Sequence, residues 1–249
     1  MAFLHDLSLL QLGLIIGLAF VSGIAGGVSG YGTGALMPLV LVPLVGAQPV
    51  VPIIAVSALF TNTARVVAFR HRLERRRALA ALAVALPTCA LGAFLYTLLS
   101  GRGAALVIGS TLIATVPLRR LLKRRGHRLG SKGFLGAAAG WGVLVGGTTG
   151  AGVIMLSLLM ATGLEGAAVI ATDAMISVVM GVIKLSVFGV AGAVTSTVLA
   201  IGVLIGLIGF GSTFLARSIV ERLPVHVHTV LLDVVVIIGG SMMIFGAFR

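Results

Sequence analysis

The most restrictive feature of this sequence is a series of apolar runs, each about as long as a membrane is thick. A helix needs about 20 consecutive apolar residues to cross the hydrocarbon core of a bilayer. Runs of this length predict seven spanning helices, at 8–29, 50–69, 78–99, 103–122, 167–188, 194–216 and 229–248. Three other apolar segments are shorter. The segment 133–149 is of marginal length, and 32–45 and 151–163 are clearly short, so each of these two either crosses fully or dips in from one face.

Composition indicates the same class of protein. Hydrophobic residues make up 59% of the 249 residues, charged residues make up 10%, and the mean hydropathy is +1.20. A soluble domain carries about 25% charged residues. A chain of this length and composition cannot bury its apolar surface in one aqueous core, and it therefore needs lipid around it. We predict an all-α polytopic membrane protein embedded in a lipid bilayer.

The basic residues lie between the apolar runs. A net charge of +12 is compatible with nucleic-acid binding, but the charges form blocks at 70–77 and 119–132, with a smaller block at Arg217 and Arg222. Cytoplasmic loops of membrane proteins carry such an excess of Lys and Arg. We therefore predict no nucleic-acid partner, and we place 70–77 and 119–132 on the cytoplasmic side of the membrane.

The side on which the third basic block lies depends on the segment 151–163. If this segment completes a crossing, 217–228 is cytoplasmic and 189–193 is outside. If it is a re-entrant dip, these two loops exchange sides. The two arginines of 217–228 favour the first arrangement, which gives ten segments with both termini outside.

Residues suited to other chemistries are scarce. Cys89 is the single cysteine and lies in an apolar run, which excludes an intrachain disulfide and a thiolate metal site. His226 and His228 share a loop and are explained more simply as solvated than as metal ligands. The nucleotide-binding pattern G-x-x-x-x-G-K-[ST] does not occur. Because Asp173 and Asp233 are far apart and no histidine lies in mid-span, we predict no enzyme, cofactor or metal.

The two halves of the chain share a glycine pattern. Gly32-x-Gly34 in the first half is matched by Gly150-x-Gly152 in the second, and a further match follows about twenty residues later in each half. Each half has five segments, and an odd number inserts the second copy upside down relative to the first. Inverted repeats of this kind place substrate near the membrane midplane, at the repeat interface.

The repeat predicts a division of the chain into a first transmembrane repeat at 1–122, a basic cytoplasmic linker at 123–132 and a second repeat at 133–249. Glycine also allows membrane helices to pack closely, which is the alternative explanation of a single glycine-rich run. Two runs at matched positions, each followed by a short segment, favour a binding site instead.

A glycine-rich break before a helix is suited to an anion. The first N–H groups of a helix have no internal partner, and the helix dipole adds a partial positive charge there. Glycine leaves the backbone accessible, and threonine adds hydroxyl donors. The residues predicted to form two such cradles are Gly30, Gly32, Thr33, Gly34, Thr148, Thr149, Gly150 and Gly152.

Ionisable residues inside spans are costly in hydrocarbon, and they are therefore candidates for function. Arg65 and Lys184 could neutralise a bound anion, although each lies near enough to a span end to reach the membrane surface instead. Asp173 could exchange a proton during transport, pair with Arg65 or Lys184, or cap its helix. Asp233 is interpreted as an interfacial residue at a helix start.

Polar uncharged residues follow a similar pattern. Ser57 and Asn62 lie roughly on one helical face with Thr61, and such a stripe either lines a cavity or joins helices by hydrogen bonds. Thr172 precedes Asp173 at the position matched to Val56. We include Ser57, Asn62 and Thr172 among the predicted substrate-binding residues.

Taken together, these residues resemble the sulfite exporter TauE/SafE family of bacterial permeases, over nearly the whole chain from about Leu9 to Phe245. The resemblance rests on the duplicated glycine-rich segments, on Ala171-Thr172-Asp173-Ala174 and on Ile183-Lys184-Leu185-x-x-Phe188-Gly189. The two halves differ in places. Leu156 stands where the first half has Pro38, and Thr148-Thr149 replaces Gly30-Tyr31.

The resemblance implies transport of sulfur-containing anions, such as sulfite, sulfoacetate or another organosulfonate, across the cytoplasmic (inner) membrane of a bacterium. We predict a secondary transporter, expected to be an exporter, that works by alternating access of its two inverted halves to a central site. The alternatives are a passive anion channel, an uptake permease for another small anion, a membrane scaffold and, less favoured, an intramembrane enzyme. Whether the chain forms a homodimer is left open by the sequence.

Overall fold

A computed structural model of the chain describes residues 8–29, 32–125, 129–220 and 225–248. Within these residues the protein consists of ten α-helices, one 3-10 turn at Arg70–Arg72 and no β-strand. The predicted all-α polytopic fold is confirmed. The helices are α1 (Leu9–Ser29), α2 (Gly32–Val45), α3 (Val50–Phe69), α4 (Arg75–Thr97), α5 (Gly101–Arg125), α6 (Ser131–Gly147), α7 (Gly152–Ala161), α8 (Gly166–Val190), α9 (Ser196–Val220) and α10 (Val225–Ala247).

The helices differ in length. Six of them, in the part of the chain that the structure describes, are long and apolar enough to cross a membrane: α1, α3, α4, α5, α8 and α9. By contrast, α2 has 14 residues and α7 has 10. At 1.5 Å per residue these two are about 21 Å and 15 Å long, against about 30 Å of hydrocarbon. Neither crosses by itself, and we call them the half-helices.

Hydrogen bonds between loops define the two ends of the bundle. At the end that carries Arg70–Arg72, which we call the basic end, Arg77 Nη1 donates to the carbonyl of Thr162 at 2.7 Å. The amide of Leu129 donates to the carbonyl of Ala161 at 2.9 Å. The α6–α7 pair therefore begins and ends at the basic end.

The opposite end, which we call the distal end, joins the α2–α3 turn to the α4–α5 turn. Gln48 Nε2 donates to the carbonyl of Leu99, and the hydroxyl of Tyr96 donates to the carbonyl of Ala47, both at 2.8 Å. Half-helix α2 therefore ends at the distal end, whereas α7 ends at the basic end. The two half-helices start inside the bundle and leave it in opposite directions.

Helix α9 runs alongside α3 in the same direction. A Cβ added at Gly202 would meet Val56, and one added at Gly209 would meet Thr61. The residue numbers increase in the same direction along both helices, which are therefore parallel. The end of α9, with Arg217, therefore lies at the same end as Arg70–Arg72. The arrangement in which 151–163 returns the chain to the cytoplasmic side also places 217–228 on the same side as 70–77.

Glycine allows several helix pairs to touch backbone to backbone. A Cβ added at Gly146 would meet the carbonyl oxygen of Cys89, which brings α6 directly against α4. One added at Gly23 would lie 2.9 Å from the Cα of Gly209, which does the same for α1 and α9. Small residues favour such packing in membranes.

The packing has a recurring pattern. Helix α1 packs against α9 as α6 packs against α4, and α3 packs against α9 as α8 packs against α4. The half-helices also correspond, because α2 contacts α10 and α7 contacts α5. A repeat of five helices would produce these contacts, and the inverted repeat itself stays a prediction.

One helix end differs from the prediction at the basic end. Helix α5 continues to Arg125, so residues 119–125 are helical rather than part of a loop, and the linker expected at 123–132 begins inside α5. The residues from Leu118 to Arg125 are all leucine, lysine or arginine, which are strong helix formers.

The position predicted for Asp233, at the start of a helix, was wrong. Helix α10 begins at Val225, so Asp233 lies about two turns inside it, and its side chain is buried. Arg120 Nη2 on α5 lies 3.0 Å from its Oδ2. An opposite charge of this kind is what makes a buried carboxylate tolerable.

Candidate functional site

A cavity of about 120 Å³ lies where the two half-helices start. Its wall combines these starts with the inward faces of α3 and α8 and with Thr213 of α9. A water molecule needs roughly 10–15 Å³ of such space, so the cavity has room for several water-sized groups. It is smaller than the roughly 300–1,000 Å³ of sites for drug-sized ligands. The cavity suits a small ion.

The starts of both half-helices face this cavity. From α2 it is lined by Gly32, Thr33 and Gly34, and from the α6–α7 connection by Thr148, Thr149, Gly150 and Gly152. The connection leaves α6 in extended conformation and then reverses at Gly150, whose φ of 81° favours glycine. Both sets of first-turn N–H groups, with the positive ends of two helix dipoles, therefore converge on one space.

The two breaks are in direct contact. Thr149 Oγ1 donates to the carbonyl of Gly34 at 2.8 Å. A Cβ added at Gly34 would lie 3.0 Å from the amide nitrogen of Gly150, which is tighter than an ordinary contact. Glycine is therefore needed here for close approach of the two backbones, and the matched glycine patterns of the two halves meet at this point.

Arg65 lies in the cavity wall with only 3% of its surface exposed. Its Nη2 donates to Asp173 Oδ2 on α8, and its Nη1 donates to Asn62 Oδ1 one turn back, both at 2.9 Å. The guanidinium is held between α3 and α8 and does not extend to the membrane surface. Of the pairings considered for Asp173, the structure has the one with Arg65.

Asp173 lies behind Arg65 and does not line the cavity. The residue is 1% exposed, and its Oδ1 has no hydrogen-bond partner among the described residues. Removing two charges from water costs several kcal/mol per ion, which the attraction between them and further hydrogen bonds must offset. A carboxylate that is satisfied on one oxygen only is therefore held mainly by Arg65.

Lys184 of α8 also lines the cavity and is 6% exposed. Its Nζ donates to the carbonyl of Val145 at 2.7 Å and to that of Thr148 at 3.1 Å. These carbonyls belong to the last turn of α6 and to its C-cap, where a cation is favourable. Lys184 thus fixes the end of α6 and places a positive charge in the wall.

Three of the predicted residues that the structure describes are not in the cavity wall. Ser57 donates to the carbonyl of Ile54 at 3.0 Å within α3, so of the predicted polar stripe Asn62 and Thr61 reach the cavity but Ser57 does not. Thr172 Oγ1 accepts from the amide of Glu74 at 3.1 Å. Asp173 is the third, as described above, and Gly30 lies outside the described residues.

Sequence reasoning missed Ser177. It lies one turn after Asp173 on α8 and lines the cavity. The hydroxyls of Ser57, Ser186 and Ser212 each donate to a carbonyl one turn back, whereas no hydrogen bond of the Ser177 hydroxyl is found among the described residues. Ser177 follows Asp173 by four residues, a spacing that puts both side chains on one face of a helix, and this spacing could have identified it from the sequence.

The chemistry of the wall is that of an anion site. Its described lining residues supply two cations, hydroxyls, an amide and backbone N–H groups, and include no Asp or Glu. No cluster of three or more His, Cys, Asp or Glu that could hold a metal ion is found in the part of the chain described.

Comparison with known proteins gives one match. The profile of the family described as sulfite exporter TauE/SafE matches residues 15–243, which is nearly the whole chain. No curated protein and no solved structure matches. The profile match covers all ten helices at least in part, including both half-helices and the cavity between them. The chain belongs to the sulfite exporter TauE/SafE family of membrane transporters.

Proposed function

We propose that this protein is a secondary transporter that exports a small sulfur-containing anion, such as sulfite, sulfoacetate or another organosulfonate, across the cytoplasmic membrane of a bacterium. The family supports transport of this class. The observation that carries the proposal is the convergence of two helix starts, Arg65 and Lys184 on one cavity of about 120 Å³.

The charge of the wall favours an anion of low charge. Arg65 and Lys184 bring two positive charges, and Asp173, 2.9 Å from Arg65, offsets one of them. The two helix dipoles add about half a charge each. A singly or doubly charged oxyanion would balance this wall. Its oxygens would accept hydrogen bonds from N–H groups, from the Asn62 amide and from hydroxyls.

The half-helices supply a route for alternating access. Helix α2 leads from the cavity to the distal end and α7 leads to the basic end. Each end can therefore open by movement of one half-helix while the other remains packed, as in transporters built from inverted repeats. The basic end is cytoplasmic because its loops carry the Lys and Arg residues. Residues 1–122 and 133–249 are the two moving halves.

Asp173 couples the anion to a proton. The anion reaches Arg65 from the cavity, and Asp173 holds the same guanidinium from behind. When the anion binds the guanidinium of Arg65, the carboxylate of Asp173 loses part of the positive charge that compensates it, and it binds a proton. When the anion leaves, the proton leaves and the ion pair forms again. Export and proton movement are thereby linked.

The proposed substrate is tested by binding to the detergent-purified protein. We expect sulfite, thiosulfate or sulfoacetate to raise the unfolding temperature, because a ligand that binds only the folded state stabilises it. Taurine, which is zwitterionic, and chloride are expected to have little effect. Lys184→Met is expected to lower the affinity for the anion at least about tenfold, because one charge-assisted hydrogen bond to the anion is lost. The measurements are thermal shift and titration calorimetry.

Lys132→Met is the matched control for this test. Lys132 is an exposed lysine at the start of α6, so the same substitution is expected to leave affinity unchanged. Equal loss in both variants, or no stabilisation by any sulfur oxyanion, would contradict the proposed site. In proteoliposomes, flux that fails to saturate and shows no counter-transport would favour the passive channel instead.

Ser177→Ala tests the hydroxyl that lines the cavity on α8. We expect affinity for the anion to fall about tenfold with little change in stability, because this hydroxyl has no partner to lose among the described residues. Ser186→Ala removes a hydroxyl of the same helix that donates to Val182 and is exposed. That control is expected to bind normally. A normal affinity of Ser177→Ala would place the anion elsewhere in the cavity.

A further inference from the structure

A second, larger cavity lies on the side of the bundle at the distal end. It is an apolar groove of about 680 Å³ between the end of α2, the start of α5 and the end of α10. Its volume is within the range of ligand sites, roughly 300–1,000 Å³. It is separate from the anion cavity, because the two share no lining residue. We call it the distal groove.

The distal groove exists because its walls are short or small. Half-helix α2 ends at Val45, and the chain turns away at Gly46 with a φ of 78°. On α10 the wall includes the small residues Gly246 and Ala247. A Cβ added at Gly246 would have no neighbour within 4 Å, so open space begins at this glycine. No side chain of the described residues fills the groove.

The dimensions of the distal groove match one leaflet of a bilayer. Along α10 it extends from Ile238 to Ala247, which is about 14 Å at 1.5 Å per residue. Half of a hydrocarbon core of about 30 Å is about 15 Å. An acyl chain that lies along the helices would therefore run the length of the groove.

A positively charged side chain lies at the opening of the distal groove. Arg102, the second residue of α5, is exposed and is the charged residue among the groove's described lining. No other Lys or Arg lies at the distal end in the described residues. A guanidinium binds phosphate through two parallel hydrogen bonds. Because α5 begins at Gly101, at the distal end, we expect Arg102 to lie near the lipid headgroups.

We propose that the distal groove is a binding site for a phospholipid of the distal leaflet, with one acyl chain along α2 and α10 and the phosphate on Arg102. A second copy of the chain fits less well. A two-fold contact through this groove would bring the two copies of Arg102 to the same rim, where like charges repel. A phosphate between lipid chains neutralises Arg102 instead.

The test uses the full-length protein, stripped of lipid in detergent, and native mass spectrometry. The probes are dioleoyl phosphatidylglycerol, dioleoylglycerol with the same chains but no phosphate, and glycerol phosphate with no chains. We expect one phosphatidylglycerol per chain, bound at least about tenfold more tightly than either of the other probes. Arg102→Ala is expected to remove the preference for phosphatidylglycerol over dioleoylglycerol.

Gly246→Phe is expected to reduce binding of both chain-bearing lipids at least about tenfold, because the ring occupies the groove. Gly136→Phe adds the same ring at an exposed glycine of α6 that also has open space, and it is expected to bind lipid as the wild type does. Normal lipid binding by Gly246→Phe would overturn the proposal. Equal affinity of the wild type for the three probes would also overturn it. A third contradicting result would be a wild-type dimer that Gly246→Phe dissociates while lipid binding stays normal.

Discussion

Replacing Asp173 by alanine is expected to lower the free energy of unfolding by about 3–5 kcal/mol and to abolish transport. The substitution removes the carboxylate opposite Arg65, whose guanidinium is buried and lies 2.9 Å from it. Removing one partner of a buried ion pair leaves a charge without compensation in a medium of low dielectric constant, and this costs about 3–5 kcal/mol. Chemical unfolding in detergent measures the first effect, and anion flux from proteoliposomes measures the second.

The double variant Arg65→Met/Asp173→Leu separates stability from function. Replacing both charges by apolar side chains of similar size is often neutral or stabilising. We therefore expect wild-type stability without transport. Arg72→Ala removes an exposed arginine at the basic end and is the control, with a change within about 0.5 kcal/mol. If Asp173→Ala were as stable as the wild type, the ion pair would not hold α3 to α8, and the coupling role of Asp173 would lose its structural basis.

Replacing Gly32 by alanine is expected to cost at least about 3 kcal/mol and to eliminate anion binding. The new Cβ would collide with the carbonyl oxygen of Ser22 and the amide nitrogen of Gly26, which are backbone atoms of α1. Ordinary overpacking costs about 1–3 kcal/mol, and fixed backbone cannot relax as side chains do. The first turn of α2 would have to move away from the cavity. Unfolding and sulfite titration measure both effects.

Two other glycine-to-alanine substitutions provide a comparison for Gly32→Ala. Gly13→Ala, on α1, has no neighbour within 4 Å of the new Cβ, so we expect no loss of stability. Gly34→Ala is expected to be intermediate, because its nearest neighbour, the Gly150 amide nitrogen, lies at 3.0 Å. Equal stability of Gly32→Ala and Gly13→Ala would show that α1 and α2 are not in backbone contact.

The class of fold was predictable because it depends on hydrophobicity summed over long runs. The two short segments were recognised by length alone, and the structure has α2 and α7 there. The inverted repeat predicts opposite directions for them, but the points at which they begin and end could not be predicted. They depend on contacts remote in sequence, such as the hydrogen bond from the amide of Leu129 to the carbonyl of Ala161. The start of α10 was placed four residues too late because its first turn contains His226 and His228, a composition that is typical of a loop.

The candidate site was predictable in its residue types but not in its pairings. Asp173 is 108 residues from Arg65, and sequence alone offered both Arg65 and Lys184 as its partner. Lys184 instead binds backbone carbonyls, which carry no signature in a sequence. Ser177 was overlooked because a serine in a membrane helix usually bonds to its own backbone, and only its surroundings show that it does not.

The contact between α1 and α9 has a consequence for how the protein is made. Gly23 packs against Gly209, so during synthesis α1 waits for a partner that leaves the ribosome nearly 190 residues later. At about 5–20 residues per second, that delay is roughly 10–40 s. During this time the face of α1 that carries Gly23 lacks its packing partner on α9. A chain that stops before α9 therefore leaves α1 without this partner in the bilayer, where membrane proteases can degrade it.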